Sequence, residues 1–210
     1  VYGFLKLFND DSIKLSPEQK KEYENRSMVR LDGLLKMVND LLDISRMEMQ
    51  TVHREIKRVC IHEVIASILE LFQIDINKKG IHVIFDQDEY KQCIKADSDE
   101  ITRLFTNLIS NAIKYNREQG TITIKLSLSD DYLLTTIKDS GIGLKPEEKN
   151  KLFTEFFRAK NEKTKNISGT GLGLSIVKRI VDSYSGKIEV ESDYGEGTLF
   201  KVFLPTIISN

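Results

Sequence analysis

The chain has 210 residues, 40% of them apolar and 30% charged, with a formal net charge of −1. That is enough apolar material for one or two packed domains, and the near-cancelling charge gives no reason to expect a nucleic-acid or polybasic membrane surface. No apolar run approaches the roughly 18 residues that a membrane helix needs, and no signal peptide is visible. Cys60 and Cys93 stand in no metal-ligand spacing, so the expectation is two buried, reduced thiols in a cytoplasmic protein. The first residue is Val1 rather than Met, which reads as an excised fragment with room for a membrane anchor upstream.

In chain order, Val1, Phe4, Leu5 and Phe8 stand at helical spacing and predict the end of a helix, followed by a polar turn over 9–16. Ser16, Pro17 and Gln19 then carry the signals of a new helix: an N-cap, a proline at the first position and a third-position partner. This helix should run to about Met49. Leu31, Leu35, Val38, Leu42, Ser45 and Met49 step alternately by four and three, and Leu34 and Leu41 widen the stripe into that of a helix bundle. Two helices cannot enclose a four-helix core, so a homodimer is expected. The alternative is that the stripe packs on the chain's own globular part.

The pattern changes near Thr51. Residues 54–59 alternate like a strand, 61–77 are periodic like a helix closed by Lys79-Gly80, and 81–85 are strand-like. Another helix is predicted over 98–115, with Ile101, Leu104, Phe105, Leu108, Ile109 and Ala112 apolar. Segments 121–128 and 132–139 read as a hairpin. Residues 144–169 are polar around an island of Phe153, Phe156 and Phe157. A helix over 172–184 and strands over 186–192 and 198–205 complete the chain. Strands and helices are partly segregated, which favours an α+β sandwich over a doubly wound sheet.

Three local patterns carry chemistry. Asn107, Asn111 and Lys114 fall on one helix face. An amide oxygen can bind Mg²⁺ without adding charge beside phosphates, and a lysine supplies a point charge for phosphate oxygens. Alone, the row is equally a solvated polar face. Asp139-Ser140-Gly141-Ile142-Gly143-Leu144 follows a strand; its glycines allow close backbone approach, and its carboxylate can accept from an exocyclic amine such as adenine's. Alone, it is equally a capped tight turn. Gly169-Thr170-Gly171-Leu172-Gly173-Leu174 leads into a helix, and backbone N–H groups at a helix start form an anion site. It is neither a Walker A loop nor a dinucleotide fingerprint, and alone it is equally a flexible linker.

Order and spacing add what each pattern lacks. Asn-x-x-x-Asn-Ala-x-Lys-Tyr, then D-x-G-x-G-L, a Phe-rich segment ending in Arg158, G-T-G-L-G-L and a final G-x-G-T closely resemble the N, G1, F and G2 boxes and last glycine turn of the histidine kinase catalytic domain. The LLKMVNDLLDISRME stretch resembles the second helix of that family's dimerisation domain. The resemblance implies a Bergerat-type ATP-binding α/β sandwich over 51–210, with a mixed sheet and helices on one face. It also implies part of a helical hairpin of a dimeric four-helix bundle over 1–50. By the same resemblance Asn111 would ligate Mg²⁺, with Asn107 lining the same site. Lys114 and Tyr115 would meet phosphates and nucleotide. Asp139 would bind the adenine amine, with Gly141 and Gly143 giving room and Ile142 and Leu144 flooring the pocket. Arg158 would reach the terminal phosphate, and Gly169, Thr170, Gly171, Leu172, Gly173 and Leu174 would wrap the phosphates. Thr198 would join the waters near the adenine. Residues 144–169 would be an ATP lid anchored by Phe153, Phe156 and Phe157.

The resemblance further implies a two-component sensor kinase that uses Mg-ATP to phosphorylate a histidine, for relay to an aspartate of a response regulator receiver domain. Related ATPases carry a water-activating Glu where this chain has Asn107, and an amide is no general base. The acceptor histidine is expected upstream of Val1, because His53, His62 and His82 sit in no matching motif. A nucleotide-binding pseudokinase and an anti-sigma-type serine kinase are the competing readings. The bundle helix argues against the second.

Overall fold

The computed structural model describes residues 16–48, 54–85, 93–129, 131–159, 164, 167 and 169–206. The helix expected over 1–8, Met49 and His53 lie outside the described residues.

Helix α1 (Pro17–Glu48) begins where its sequence signals place it. Ser16 Oγ accepts from the Gln19 N–H at 3.2 Å, and Gln19 Oε1 accepts from the Ser16 N–H at 2.9 Å, a reciprocal capping box. The two faces of α1 differ. Leu34, Leu35 and Val38 are 56%, 63% and 53% exposed, and Leu31, Leu41 and Leu42 are exposed beside them. Asp40 and Ile44 are buried, and Met37 packs on the core. The leucine stripe is therefore not covered by the chain's own globular part. No helix among the described residues is long and apolar enough to cross a membrane.

The remaining elements are β1 (Ile56–Cys60), α2 (Ile61–Leu71), α3 (Gln73–Lys79), β2 (His82–Phe85), β3 (Cys93–Asp97), α4 (Ser98–Lys114), β4 (Thr121–Ser129), β5 (Tyr132–Asp139), α5 (Pro146–Lys149), α6 (Gly173–Ser183), β6 (Lys187–Asp193) and β7 (Gly197–Pro205). The single helix expected over 61–77 is two, because Phe72 leaves helical geometry at ψ 9°. Gly80, at φ 63°, ends α3 in the left-handed conformation. The Asp97 carboxylate caps α4 by accepting from the Asp99 and Glu100 N–H groups at 2.9 and 3.2 Å.

Five strands form a sheet in the order β2-β4-β5-β7-β6, with β2 and β4 parallel and the other pairs antiparallel. This is the expected mixed sheet. Strands β1 and β3 pair separately, antiparallel, with Cys60 opposite Cys93 and a disulfide between them. The expectation of two reduced thiols is thus corrected. The pairing is hidden in the sequence because β3 offers only Ile94 and Ala96 as inward apolar residues, too weak an alternation to announce a strand.

Helix α4 packs between α2 and α6 and over β5. Its Ile101, Leu104, Phe105, Leu108 and Ile109 are fully buried, each stabilising the fold by about 1.5–3 kcal/mol. On β5 the alternation turns Leu133, Thr135, Ile137 and Asp139 inward. The last of these puts a carboxylate where the pattern calls for an apolar side chain, between the sheet and α4.

Candidate functional site

One cavity gathers what the sequence spread over ninety residues. It is bounded by the polar face of α4, the end of β5, the start of α6 and, as a cover, the described residues between 142 and 171. Of the residues singled out, Asn107, Asn111, Lys114, Tyr115, Asp139, Ile142, Gly143, Leu144, Arg158, Gly169, Thr170, Gly171, Gly173, Leu174 and Thr198 line it. Gly141 and Leu172 do not. The Gly141 N–H donates to Asp139 Oδ1 at 2.8 Å, so this residue orients the carboxylate from behind. Leu172 is fully buried beneath the loop, and its N–H donates to Thr170 Oγ1 at 3.3 Å.

At one end stands Asp139, 6% exposed. Its Oδ1 accepts from the N–H groups of Gly141 and Thr198 at 2.8 and 3.3 Å. No described residue donates to Oδ2, which leaves that oxygen for a ligand. Burial pushes the carboxyl up to about 6, and the two N–H donors hold it back from going higher. Gly143 is required here: at φ 61° it is left-handed, and a Cβ would lie 2.0 Å from the Asp193 carbonyl oxygen. The Leu144 N–H donates to Ser192 Oγ at 2.9 Å, which ties this loop to the β6–β7 hairpin.

Along α4 the three polar residues do different things. Asn107 Nδ2 donates to the Arg103 carbonyl at 3.1 Å, and a Cβ on Gly173 would meet Asn107 Oδ1 at 2.6 Å. Asn107 is therefore packed between its own helix and α6. The Asn111 side chain, one turn on, makes no hydrogen bond to a described residue and keeps its amide for the cavity. Lys114 is pushed down to about 8 by burial first, and then by the neighbouring cations Lys36, Arg158 and Lys79. Burial raises the Tyr115 phenol. The Lys79 ammonium donates to the Ile113 and Lys114 carbonyls at 2.9 and 2.8 Å, closing the end of α4. The next carbonyl, that of Tyr115, accepts from the Ile142 N–H at 3.1 Å.

The cover is held mainly by side chains. Lys149 Nζ donates to the Ser192 carbonyl at 2.9 Å and Arg179 pairs with Glu155 at 2.7 Å; within the cover itself, Arg158 donates to the Ile167 carbonyl. The anchors expected here were three phenylalanines. Instead Leu152 is buried, Phe153 packs on the core and Phe157 lines the cavity, while Phe156 is 53% exposed. The Phe156 backbone is what matters: it passes so close to Gly171 that a Cβ there would lie 2.8 Å away.

Sequence reasoning misses several wall residues: Ala112, Leu152, Thr164, Phe200 and, from α1, Lys36. The apolar ones carry no signal beyond their periodicity. Lys36 carries none, since only the docking of α1 brings it there. His62 stacks on Phe85 with centroids 4.9 Å apart, and His82 is on β2; neither lines the cavity. Asp139 is the only carboxylate among the described lining residues, and no described cluster of three His, Cys, Asp or Glu side chains could hold a metal.

Comparison with known proteins is consistent with this geometry. Residues 96–208 match the family described as histidine kinase-, DNA gyrase B- and HSP90-like ATPase. The sensor histidine kinase RppB of Synechocystis sp. is 30% identical over 172 residues, covering 82% of this chain and 38% of that protein. The solved catalytic domain of histidine kinase ThkA, in a nucleotide-free form, superposes with a TM-score of 0.64 at 31% identity, covering 72% of this chain and 96% of that one. ThkA solved in complex with a response regulator protein, TrrA, gives a TM-score of 0.78 at 27% identity over 98% of this chain and 56% of that one. The chain spans well under half the length of the curated relatives it matches.

Proposed function

Because this chain belongs to the histidine kinase-, DNA gyrase B- and HSP90-like ATPase family, we propose that it is the ATP-presenting catalytic core of a two-component sensor histidine kinase. Residues 51–210 form the nucleotide-binding domain, and α1 is a helix of the dimerisation domain whose exposed leucine stripe joins a second copy. The observation that carries the reading is the polarity of the cavity. A single buried carboxylate stands at one end, an amide–amide–amine row lies beside it, and glycine-rich backbone at a helix start lies opposite.

Each part suits one part of Mg-ATP. Asp139 Oδ2 accepts from the adenine amine, with Ile142 and Leu144 against the base and Thr198 beside it. Lys114, Arg158 and the N–H groups of 169–174 meet the phosphates, where backbone dipoles and cations favour negative charge. Mg²⁺, when bound, would screen the phosphate oxygens, and the donor set fits it: the Asn111 amide oxygen is uncommitted, and the remaining positions would fall to phosphates and water. Asn107 gives the site no base for water. The γ-phosphate is held for a nucleophile from outside the cavity, a histidine of the dimerisation domain, and passes from there to an aspartate of a response regulator.

The reading is tested by incubating the chain with γ-labelled ATP and a dimerisation domain that carries a histidine. Label is expected on that domain as acid-labile phosphohistidine, dependent on Mg²⁺ and lost in Asn111→Ala. Binding of ATP with no transferred label would leave a regulatory nucleotide module instead.

A further inference from the structure

The cavity wall includes one residue that belongs to the helical segment. Lys36 is on α1, outside the nucleotide-binding domain, yet it lines the same cavity as Lys114, Arg158 and Gly169. Its charge is close enough to help lower the Lys114 ammonium. Lys36, Asp40 and Ile44 stand four residues apart on one face of α1, the face opposite the exposed leucine stripe.

That face is fastened. The Asp40 carboxylate is buried, accepts from Thr170 Oγ1 at 2.9 Å and lies 3.5 Å from the Arg103 guanidinium. Asp43, three residues on, also pairs with Arg103. Ile44 is buried in the same core as α4. The fastening reaches the two elements that shape the phosphate end. Thr170 is in the glycine loop, and the Arg103 carbonyl holds the Asn107 amide. A buried carboxylate needs such partners to offset its lost hydration. With them in place, the register of α1 is set and Lys36 sits one helical turn away, at the cavity.

We propose that Lys36 is a phosphate-binding residue of the nucleotide site, supplied by α1 and positioned by the Asp40 and Asp43 contacts with Thr170 and Arg103. This rests on the nucleotide reading above and extends it: the site is composite, and its full affinity for the triphosphate requires the docked helix. Lys36 adds a mobile point charge, suited to phosphate oxygens and indifferent to the base.

The test is a calorimetric titration of the chain and its Lys36→Met variant with ATP and with adenosine. Lys36 is on the exposed surface of α1, so its removal leaves the fold intact. ATP affinity is expected to fall roughly three- to tenfold in Lys36→Met, with adenosine affinity unchanged. Lys36→Arg should restore most of the loss. Lys20→Met, which removes the same charge from the far end of α1, should match the parent. Equal ATP affinity in Lys36→Met overturns the proposal, as does an equal loss for ATP and adenosine or an equal effect of Lys20→Met. A parent chain that binds neither ligand overturns the nucleotide reading and this one with it.

Discussion

The two ends of the cavity are built by different means. At the Asp139 end the positions are set by backbone. The carboxylate ends a central strand, two N–H groups hold one of its oxygens, and the Gly143 loop lies against Asp193 so closely that no side chain fits. At the opposite end the cover hangs on side chains: Lys149 on the Ser192 carbonyl and Glu155 on Arg179. Central-strand geometry opens only with the core, whereas side-chain tethers open locally. On the proposed reading, base recognition falls to the preorganised end, and the other end is free to adjust around a ligand and admit a nucleophile.

Matched alanines at two glycines are the strongest way to break this contrast. Both Gly143 and Gly171 have positive φ, 61° and 78°, and each alanine costs about 1–2 kcal/mol in backbone strain alone. Gly143→Ala also drives a Cβ to 2.0 Å from the Asp193 carbonyl, where two strands must yield. Its total loss should exceed about 3 kcal/mol. Gly171→Ala meets the Phe156 backbone at 2.8 Å, in a cover able to shift, and should stay near the strain cost while weakening ATP binding. Urea unfolding of both variants checks the order; equal losses would mean the cover is as rigid as the floor.

Next in size is Asp139→Asn, expected to weaken ATP and adenosine binding alike by about 1–3 kcal/mol, the cost of a charged hydrogen bond. Calorimetry showing unchanged affinity would remove Asp139 from its role. The same group gives a pH dependence. Burial raises its pKa to about 6, so the acceptor form predominates only above that value. Adenosine affinity should fall as pH drops through about 6, and Asp139→Asn should abolish that titration. Stability should move the opposite way: the folded state binds the Asp139 proton more tightly than the unfolded chain, so this contribution is lost as pH rises from about 4 to about 6. The smallest effect is expected for Glu155→Ala, about 0–1 kcal/mol, because its pair with Arg179 is about a third exposed on both sides. Faster proteolysis of the 144–171 segment, with an unchanged unfolding midpoint, would sharpen the view of the cover as a local unit.

Much of this was legible because it is local. The Ser16 cap, the α4 periodicity, the β4–β5 hairpin and the Gly80 stop are each written within a few residues of where they act. The site was legible because Asn107, Asn111 and Lys114 share a helix face and the glycines keep family spacing. What stayed hidden depends on long-range pairing. The Cys60–Cys93 bond needs β3, which is five residues long and turns only Ile94 and Ala96 inward. Leu152 replaces Phe156 as an anchor because the turn at Phe156, with φ 60°, throws its ring outward. Lys36 joins the cavity only through a helix docked by Asp40, and nothing within α1 itself distinguishes that lysine from its neighbours.

On the proposed reading the cavity holds a γ-phosphate for an external acceptor and does not deliver it to water. The deciding measurement is phosphate release from Mg-ATP by the chain alone, followed over many multiples of the chain concentration. Bound ATP is expected with release no faster than a slow background, because Asn107 cannot take a proton from water and Asp139 stands at the other end. Sustained turnover that disappears in Asn107→Ala would contradict it.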